Sequence, residues 1–274
     1  MSEAKITDLI KTDEFTYSFE VTPNIALDTI DNLGSEPLFI SITWHAKSLE
    51  LNHWDVGPLK LANNLTAKGY NVLLHLSCDL LKREYLNGLL QFLQEKKICN
   101  LFVFLGENYD RDSNSSDFKS TKELIEYIRK RTGNYFCIGV AGFPDQSDNR
   151  FPSLKEKIES GADFILTQAF FDIDSYQNFV KKCESQGITI PIIPGLFLYE
   201  SHKELISFTN LCKVKVSDKL LKYAEIDPNY IGTDVVKKLV QDIIKAAVGF
   251  KHVHLFTLNK LERVSGFVKE IQNM

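Results

Sequence analysis

The chain has 274 residues, 44% of them apolar and 25% charged, with a formal net charge of -4. Such a composition is that of an ordinary globular protein and excludes disordered and fibrous classes, while the slight acidity argues against a nucleic-acid binder, which carries a basic face. The length lies near the upper limit for one core, and a chain of this size buries about three quarters of the surface it exposes when unfolded.

After a polar N-terminal extension over residues 1–14, short β-rich apolar runs alternate with longer amphipathic segments, the pattern of parallel βα units. A first strand at 16–21 leads through a short turn of helix at 27–33 to a second strand at 38–43. A helix at 58–68, a strand at 71–76, a helix at 80–96 and a strand at 100–105 follow. Next come a helix at 119–132, a strand at 136–141, a helix at 153–160, a strand at 164–168 and a helix at 175–186. The chain closes with a strand at 192–195, helices at 202–211 and 235–248, a strand at 252–258 and a helix at 260–273. Gly69, Gly161, Gly187 and Gly249 fall just past helix ends, where the backbone turns left-handed. Eight parallel strands joined by right-handed crossovers close most naturally into a barrel. The expected fold is therefore α/β, a parallel (β/α)8 TIM-type barrel over residues 15–274, with the doubly wound open sheet as its rival.

Barrel topology directs attention to polar residues at the C-terminal ends of the strands, which face the site. These are Glu20, Thr43 with His45, His75, Glu107, Gln168 and Lys260, and the polar loops 108–117 and 145–152 stand at the same mouth. Glu20 interrupts an otherwise apolar run, Tyr17-Ser18-Phe19-Glu20-Val21. A carboxylate there is costly unless partnered, and burial raises its pKa and equips it as a general acid; the alternative is an ion pair with a lysine at the rim. His45 and His75 lack a third His or Cys ligand at a recognisable spacing, so no metal site is expected. Gln168 beside Phe170 and Phe171 couples an amide to an aromatic wall, an arrangement suited to a planar heterocycle. Neither GxGxxG nor GxxxxGK[ST] occurs, so a nucleotide must be held by other means. The five cysteines, Cys78, Cys99, Cys137, Cys183 and Cys212, show no metal spacing and read as reduced, packed thiols. No apolar run approaches the ~20 residues of a membrane span, residues 1–14 do not read as a secretory signal, and a cytoplasmic location is expected.

From Phe15 to Asn273 the chain resembles the methylenetetrahydrofolate reductases. The stretches that carry the resemblance are Ser18-Phe19-Glu20 with Pro23, Thr43-Trp44-His45, His75-Leu76-Ser77-Cys78, Val140-Ala141-Gly142-Phe143-Pro144, Leu154-Lys155-Glu156-Lys157 running into Ser160-Gly161-Ala162-Asp163, Thr167-Gln168-Ala169-Phe170-Phe171, Ile193-Pro194-Gly195 and Phe256-Thr257-Leu258-Asn259. The resemblance implies a (β/α)8 barrel holding FAD, which passes hydride from NAD(P)H to 5,10-methylenetetrahydrofolate and yields 5-methyltetrahydrofolate. It implies Glu20 as the acid that assists opening of the folate's five-membered ring and Gln168 as the pterin-holding amide. Glu107 would stand where an aspartate contacts pterin and flavin; Thr43, Trp44, His75, Gly106 and Lys157 match flavin-contacting positions, and Phe256 and Lys260 folate-contacting ones. A homo-oligomer is compatible with the sequence, and neither oligomeric state nor the choice of NADH or NADPH leaves a mark in it.

The departures from the family concentrate on the flavin side. The family's Leu-Arg-Gly-Asp after strand four is Phe104-Leu105-Gly106-Glu107 here, so an arginine near the flavin phosphates becomes leucine. Two expected tyrosines are Ser120 and Phe143, a His-Pro-Glu segment is replaced by residues 145–149, and an expected carboxylate before Leu154 falls on Arg150 or its neighbours. Val21-Thr22-Pro23-Asn24-Ile25 erodes the first-strand signature, and Lys260 replaces an arginine and removes its bidentate fork. A diphosphate would then rest on Lys157, on backbone N–H groups or on a displaced arginine, Arg150 or Arg111. The reading from another class is a flavin-poor or catalytically silent paralogue that keeps the barrel to bind folate or a protein.

Overall fold

The computed structural model describes residues 4–45, 54–106, 109–110, 115–144, 150–227, 231–246 and 250–272. Nine strands, all parallel, are hydrogen-bonded in the order β7-β6-β5-β4-β3-β2-β1-β9-β8. They are β1 (Phe15–Val21), β2 (Ile40–Ile42), β3 (Val72–Ser77), β4 (Asn100–Phe104), β5 (Cys137–Gly142), β6 (Phe164–Thr167), β7 (Ile192–Ile193), β8 (Gly195–Phe197) and β9 (Lys251–Phe256). β7 and β8 are one barrel position interrupted at Pro194: β7 pairs with β6, β8 pairs with β9, and together they complete a nearly closed ring. The strand expected at 192–195 is thus split, because Pro194 has no N–H to give the ladder. Its carbonyl still accepts from the His254 N–H at 2.9 Å, and the Gly195 N–H turns to Thr167 Oγ1 at 2.9 Å. A Cβ at Gly195 would lie 2.2 Å from the Thr167 carbonyl oxygen, which is why the crossing is made on glycine. The ring excludes the doubly wound alternative.

Helices cover the outside through their apolar stripes. Examples are α3 (Gly57–Ala67), which buries Leu59, Leu61, Ala62 and Leu65, and α4 (Arg83–Glu95), which buries Leu86, Leu89, Leu90 and Leu93. Strand alternation supplies the other half of this interface: Tyr17, Phe19 and Val21 of β1 join the helix-facing core, while Thr16, Ser18 and Glu20 point into the barrel. Ser120 and Asp172 cap α5 (Thr121–Thr132) and α7 (Ile173–Ser185) with side-chain oxygens. Two boundaries differ from expectation. α4 begins at Arg83 because Leu80 takes a left-handed φ of 58°, and α6 (Phe151–Glu159) begins before residue 153 with Pro152 in its first turn.

One helix not expected from the sequence, α9 (Asp218–Ile226), lies between α8 (His202–Cys212) and α10 (Gly232–Ala246), and α11 (Glu262–Gln272), expected at 260–273, ends the described chain. At the other terminus the four-residue α1 (Ile6–Leu9) seals the barrel floor: Ile6 and Ile10 pack with Phe39, Leu73, Cys137, Phe164, Leu166 and Ile193. Asn100 fixes this plug, accepting from the Ile6 N–H at 2.9 Å and donating to the Ala4 carbonyl at 3.1 Å. With the N-terminal end stopped by apolar side chains, the C-terminal mouth is left for a ligand. Among the described residues no helix is long and apolar enough to cross a membrane.

Candidate active site

Below the mouth, the barrel interior holds a hydrogen-bonded lattice of hydroxyls and imidazoles. Thr16 Oγ1 lies 2.8 Å from His252 Nδ1, and Ser18 Oγ bridges His252 Nε2 at 2.9 Å and His254 Nδ1 at 2.7 Å. One hydroxyl proton serves one imidazole, so the other ring must donate its own N–H to Ser18 Oγ. Phe39 stacks on both rings, at 5.4 and 5.6 Å between centroids. Burial pushes His252 down to about 3 and His254 well below the usual imidazole range, so both are neutral. Site reasoning from the sequence passed over this lattice, although alternation was its signal: Thr16-x-Ser18-x-Glu20 runs beside His252-x-His254-x-Phe256.

One pleat above Ser18 stands Glu20. Its backbone is pinned between Ser41 of β2 and Phe256 of β9, and its carbonyl accepts from Thr257 Oγ1 at 2.8 Å. The side chain is a fifth exposed, and burial pushes its carboxyl up to about 7. His75 Nε2 is 3.7 Å from Glu20 Oε2 but is committed to Ser41 Oγ at 2.7 Å. Burial, with His45 nearby, pushes His75 down to about 3. Below about pH 7 the contact is therefore between a protonated acid and a neutral imidazole. No lysine or arginine pairs with Glu20 among the described residues.

The other expected residues occupy different settings. Thr43 is buried, its N–H bonded to the Val21 carbonyl at 3.0 Å, and its Oγ1 has no partner among the described residues. Trp44 packs in the helix-facing core with its Nε1 likewise without a partner there. Gly106 has φ 109°, and a Cβ on it would come within 2.9 Å of Asp79 Cβ, so the strand-four loop passes close to the loop after β3. Gln168 accepts from the Ala169 N–H at 3.0 Å with its Oε1 and is half-buried. Of its two aromatic neighbours, Phe170 is core, stacked on Tyr176, while Phe171 meets Tyr199 edge-on. Phe256 is half-buried between His254 and Phe208. Lys260 is tied to Glu204, which also takes both terminal nitrogens of Arg263 at 2.6 and 2.8 Å. That cluster holds the Glu204 carboxyl far below the usual range, Arg263 contributing most among the partners, and spends the Lys260 charge on α8. Lys157 is half-buried on α6 without a hydrogen bond or ion pair among the described residues. Glu107 and Arg111 lie outside the described residues, as does the segment 145–149.

A parallel barrel with a plugged floor, a hydrogen-bonded polar middle and a carboxyl of raised pKa at its C-terminal end defines a TIM-type barrel protein built to work at that face. The sequence profile of the methylenetetrahydrofolate reductase family matches residues 5–272, and the chain belongs to that family. It is 27% identical over 305 residues to a probable methylenetetrahydrofolate reductase (NADH) of Oryza sativa subsp. japonica, covering 97% of this chain and 50% of that protein. It is 30% identical over 304 residues to methylenetetrahydrofolate reductase 2 of Schizosaccharomyces pombe, covering 96% and 46%. To the 5,10-methylenetetrahydrofolate reductase of Pectobacterium carotovorum subsp. carotovorum it is 29% identical over 251 residues, covering 85% and 80%. The chain thus spans about half the length of the plant and yeast relatives. Among solved structures, an oxaloacetate acetylhydrolase in complex with an inhibitor superposes with a TM-score of 0.57 over 97% of this chain and 83% of that one, at 11% identity. At that identity the likeness is one of fold alone.

Proposed function

We propose that the chain is an FAD-dependent oxidoreductase that reduces 5,10-methylenetetrahydrofolate to 5-methyltetrahydrofolate with NAD(P)H. The observation that carries this reading is Glu20: a carboxyl that burial pushes up to about 7, at the C-terminal end of the barrel, with no lysine or arginine paired to it among the described residues. Such a group can deliver a proton to the folate nitrogen released as the five-membered ring opens, the step for which general acids contribute about 10²- to 10⁴-fold. His75, neutral and held by Ser41, supports that state because it brings no positive charge to the carboxyl. By the resemblance Gln168 would hold the pterin, Phe256 and Lys260 would contact the folate, and Glu107, outside the described residues, would contact both pterin and flavin.

FAD, when bound, supplies the relay of hydride from nicotinamide to folate. The residues present fit such a group: Thr43 Oγ1 is a buried hydroxyl without a partner among the described residues, Gly106 keeps a loop side-chain-free, and Lys157 offers an ammonium that no described residue bonds. Trp44 and His75 complete the proposed flavin contacts. The relatives include proteins named for NADH and for NADPH, so the nicotinamide is written NAD(P)H.

The test is Glu20→Gln in the flavin-loaded protein. Folate-dependent reoxidation of reduced flavin should fall by about 10²-fold or more while reduction by NAD(P)H persists. Undiminished folate turnover would remove Glu20 from the mechanism, and a colourless protein that FAD cannot reconstitute would favour the flavin-free paralogue.

A further inference from the structure

The flavin side of the mouth lacks the arginine expected on the strand-four loop, and Leu105 in its place packs half-buried against the core. A different pair of cations stands one strand further round the barrel. Arg150 immediately precedes α6 and Lys157 follows seven residues later, two helical turns on, so that both lie on one face of α6. The Arg150 guanidinium lies 4.4 Å from the centroid of the Phe143 ring, at the end of β5, and makes no ion pair with a carboxylate among the described residues. A guanidinium seated over a ring face can keep N–H donors for another group. Lys157 likewise has no hydrogen bond or ion pair among the described residues, and its ammonium is held below the usual lysine range first by burial and then by Arg150. Two neighbouring cations, one of them half-buried, repel each other with no carboxylate paired to either among the described residues, and a fold tolerates that where an anion is to be received.

We propose that Arg150 and Lys157 form an anion-binding pair that takes a diphosphate group, with Arg150 supplying from the α6 side the fork that Leu105 cannot supply from β4. The identification of that diphosphate as part of FAD rests on the function proposed above; the anion site itself does not. Phe143 is the positioning residue, since its ring orients the guanidinium without competing for its N–H donors. The planar fork matches two phosphate oxygens, and Lys157 adds a point charge at the second phosphate.

The test compares wild type, Arg150→Gln and Leu105→Arg/Arg150→Gln, each checked for an unchanged thermal midpoint. FAD binding is followed by quenching of flavin fluorescence and inorganic pyrophosphate binding by calorimetry. Loss of one charge-assisted contact should weaken both ligands by about ten-fold or more in Arg150→Gln, and the double variant should recover FAD affinity. Wild type should also lose affinity with added salt more steeply than Arg150→Gln. Pyrophosphate binding that is lost in Arg150→Gln, in a protein that never binds FAD, would support the anion site and overturn only the flavin reading. Equal affinity of wild type and Arg150→Gln for both ligands would overturn the proposal, as would a wild-type protein that binds neither.

Discussion

The middle of the barrel and its mouth hold the same kinds of polar side chain and treat them in opposite ways. In the middle, Thr16, Ser18, His252 and His254 bond to one another, and one atom, His254 Nε2, is left without a partner among the described residues. At the mouth, one pleat away, the described residues give the Glu20 carboxyl only a neutral imidazole at 3.7 Å, and give Thr43 Oγ1 and the Lys157 ammonium no partner. Buried polar groups cost free energy unless they are satisfied. The middle meets that cost internally, while the mouth keeps its bonding capacity for a ligand.

The comparison predicts opposite responses to pH, and the largest effect belongs to the buried imidazoles, His252 and His254 in the middle and His75 beside the mouth. His75 and His252 titrate in the folded protein at about 3 and His254 well below its ordinary 6.5, so their contribution is full above about 6.5 and is lost as pH falls toward 3. Between about pH 7 and pH 5 the unfolded chain protonates these rings and the folded one does not, which should cost on the order of 2 kcal/mol for each histidine in urea unfolding. Stability that is flat or rising over that interval would show that the rings are not neutral.

Breaking the lattice directly should have the next largest effect. Ser18→Ala leaves one nitrogen of His252 and one of His254 without a bond, at about 1–3 kcal/mol for each buried group. The loss should appear in unfolding midpoints; a variant as stable as wild type would mean that the lattice contributes nothing to the fold.

The smallest stability effect, of opposite sign, belongs to the mouth. Glu20 ionises at about 7 in the folded protein against an ordinary 4.5, so the unfolded chain gains by ionising first and stability falls between those values. Glu20→Gln should therefore stabilise the protein at about pH 8, by on the order of 1–3 kcal/mol after allowing for partial exposure, and much less at about pH 4. A destabilising effect at the higher pH would mean that the carboxylate has a partner.

Strand order was legible because each βα unit carries its own periodicity, and Glu20 stood out as a charge inside an apolar run. What escaped the sequence depends on contacts distant along the chain. α1 is four residues long and acquires its meaning only by packing on Phe39, Cys137 and Phe164 inside the floor. The split at Pro194 appears only when β6 and β9 are placed on either side of it. The Glu204 cluster that claims Lys260 joins α8 to the start of α11, nearly sixty residues apart by its own separations of 56 and 59. The histidine lattice needs β1 beside β9, a pairing across 236 residues.

The central claim is that Glu20 acts as an acid because the mouth leaves it protonated. The most direct measurement is the rate at which reduced, flavin-loaded protein is reoxidised by 5,10-methylenetetrahydrofolate in stopped flow, from about pH 5.5 to pH 9. Wild type should hold a plateau below about 7, where the carboxyl carries its proton, and lose about ten-fold per pH unit above it, with no such break in Glu20→Gln. A wild-type rate that stays level or rises through that range would contradict the account.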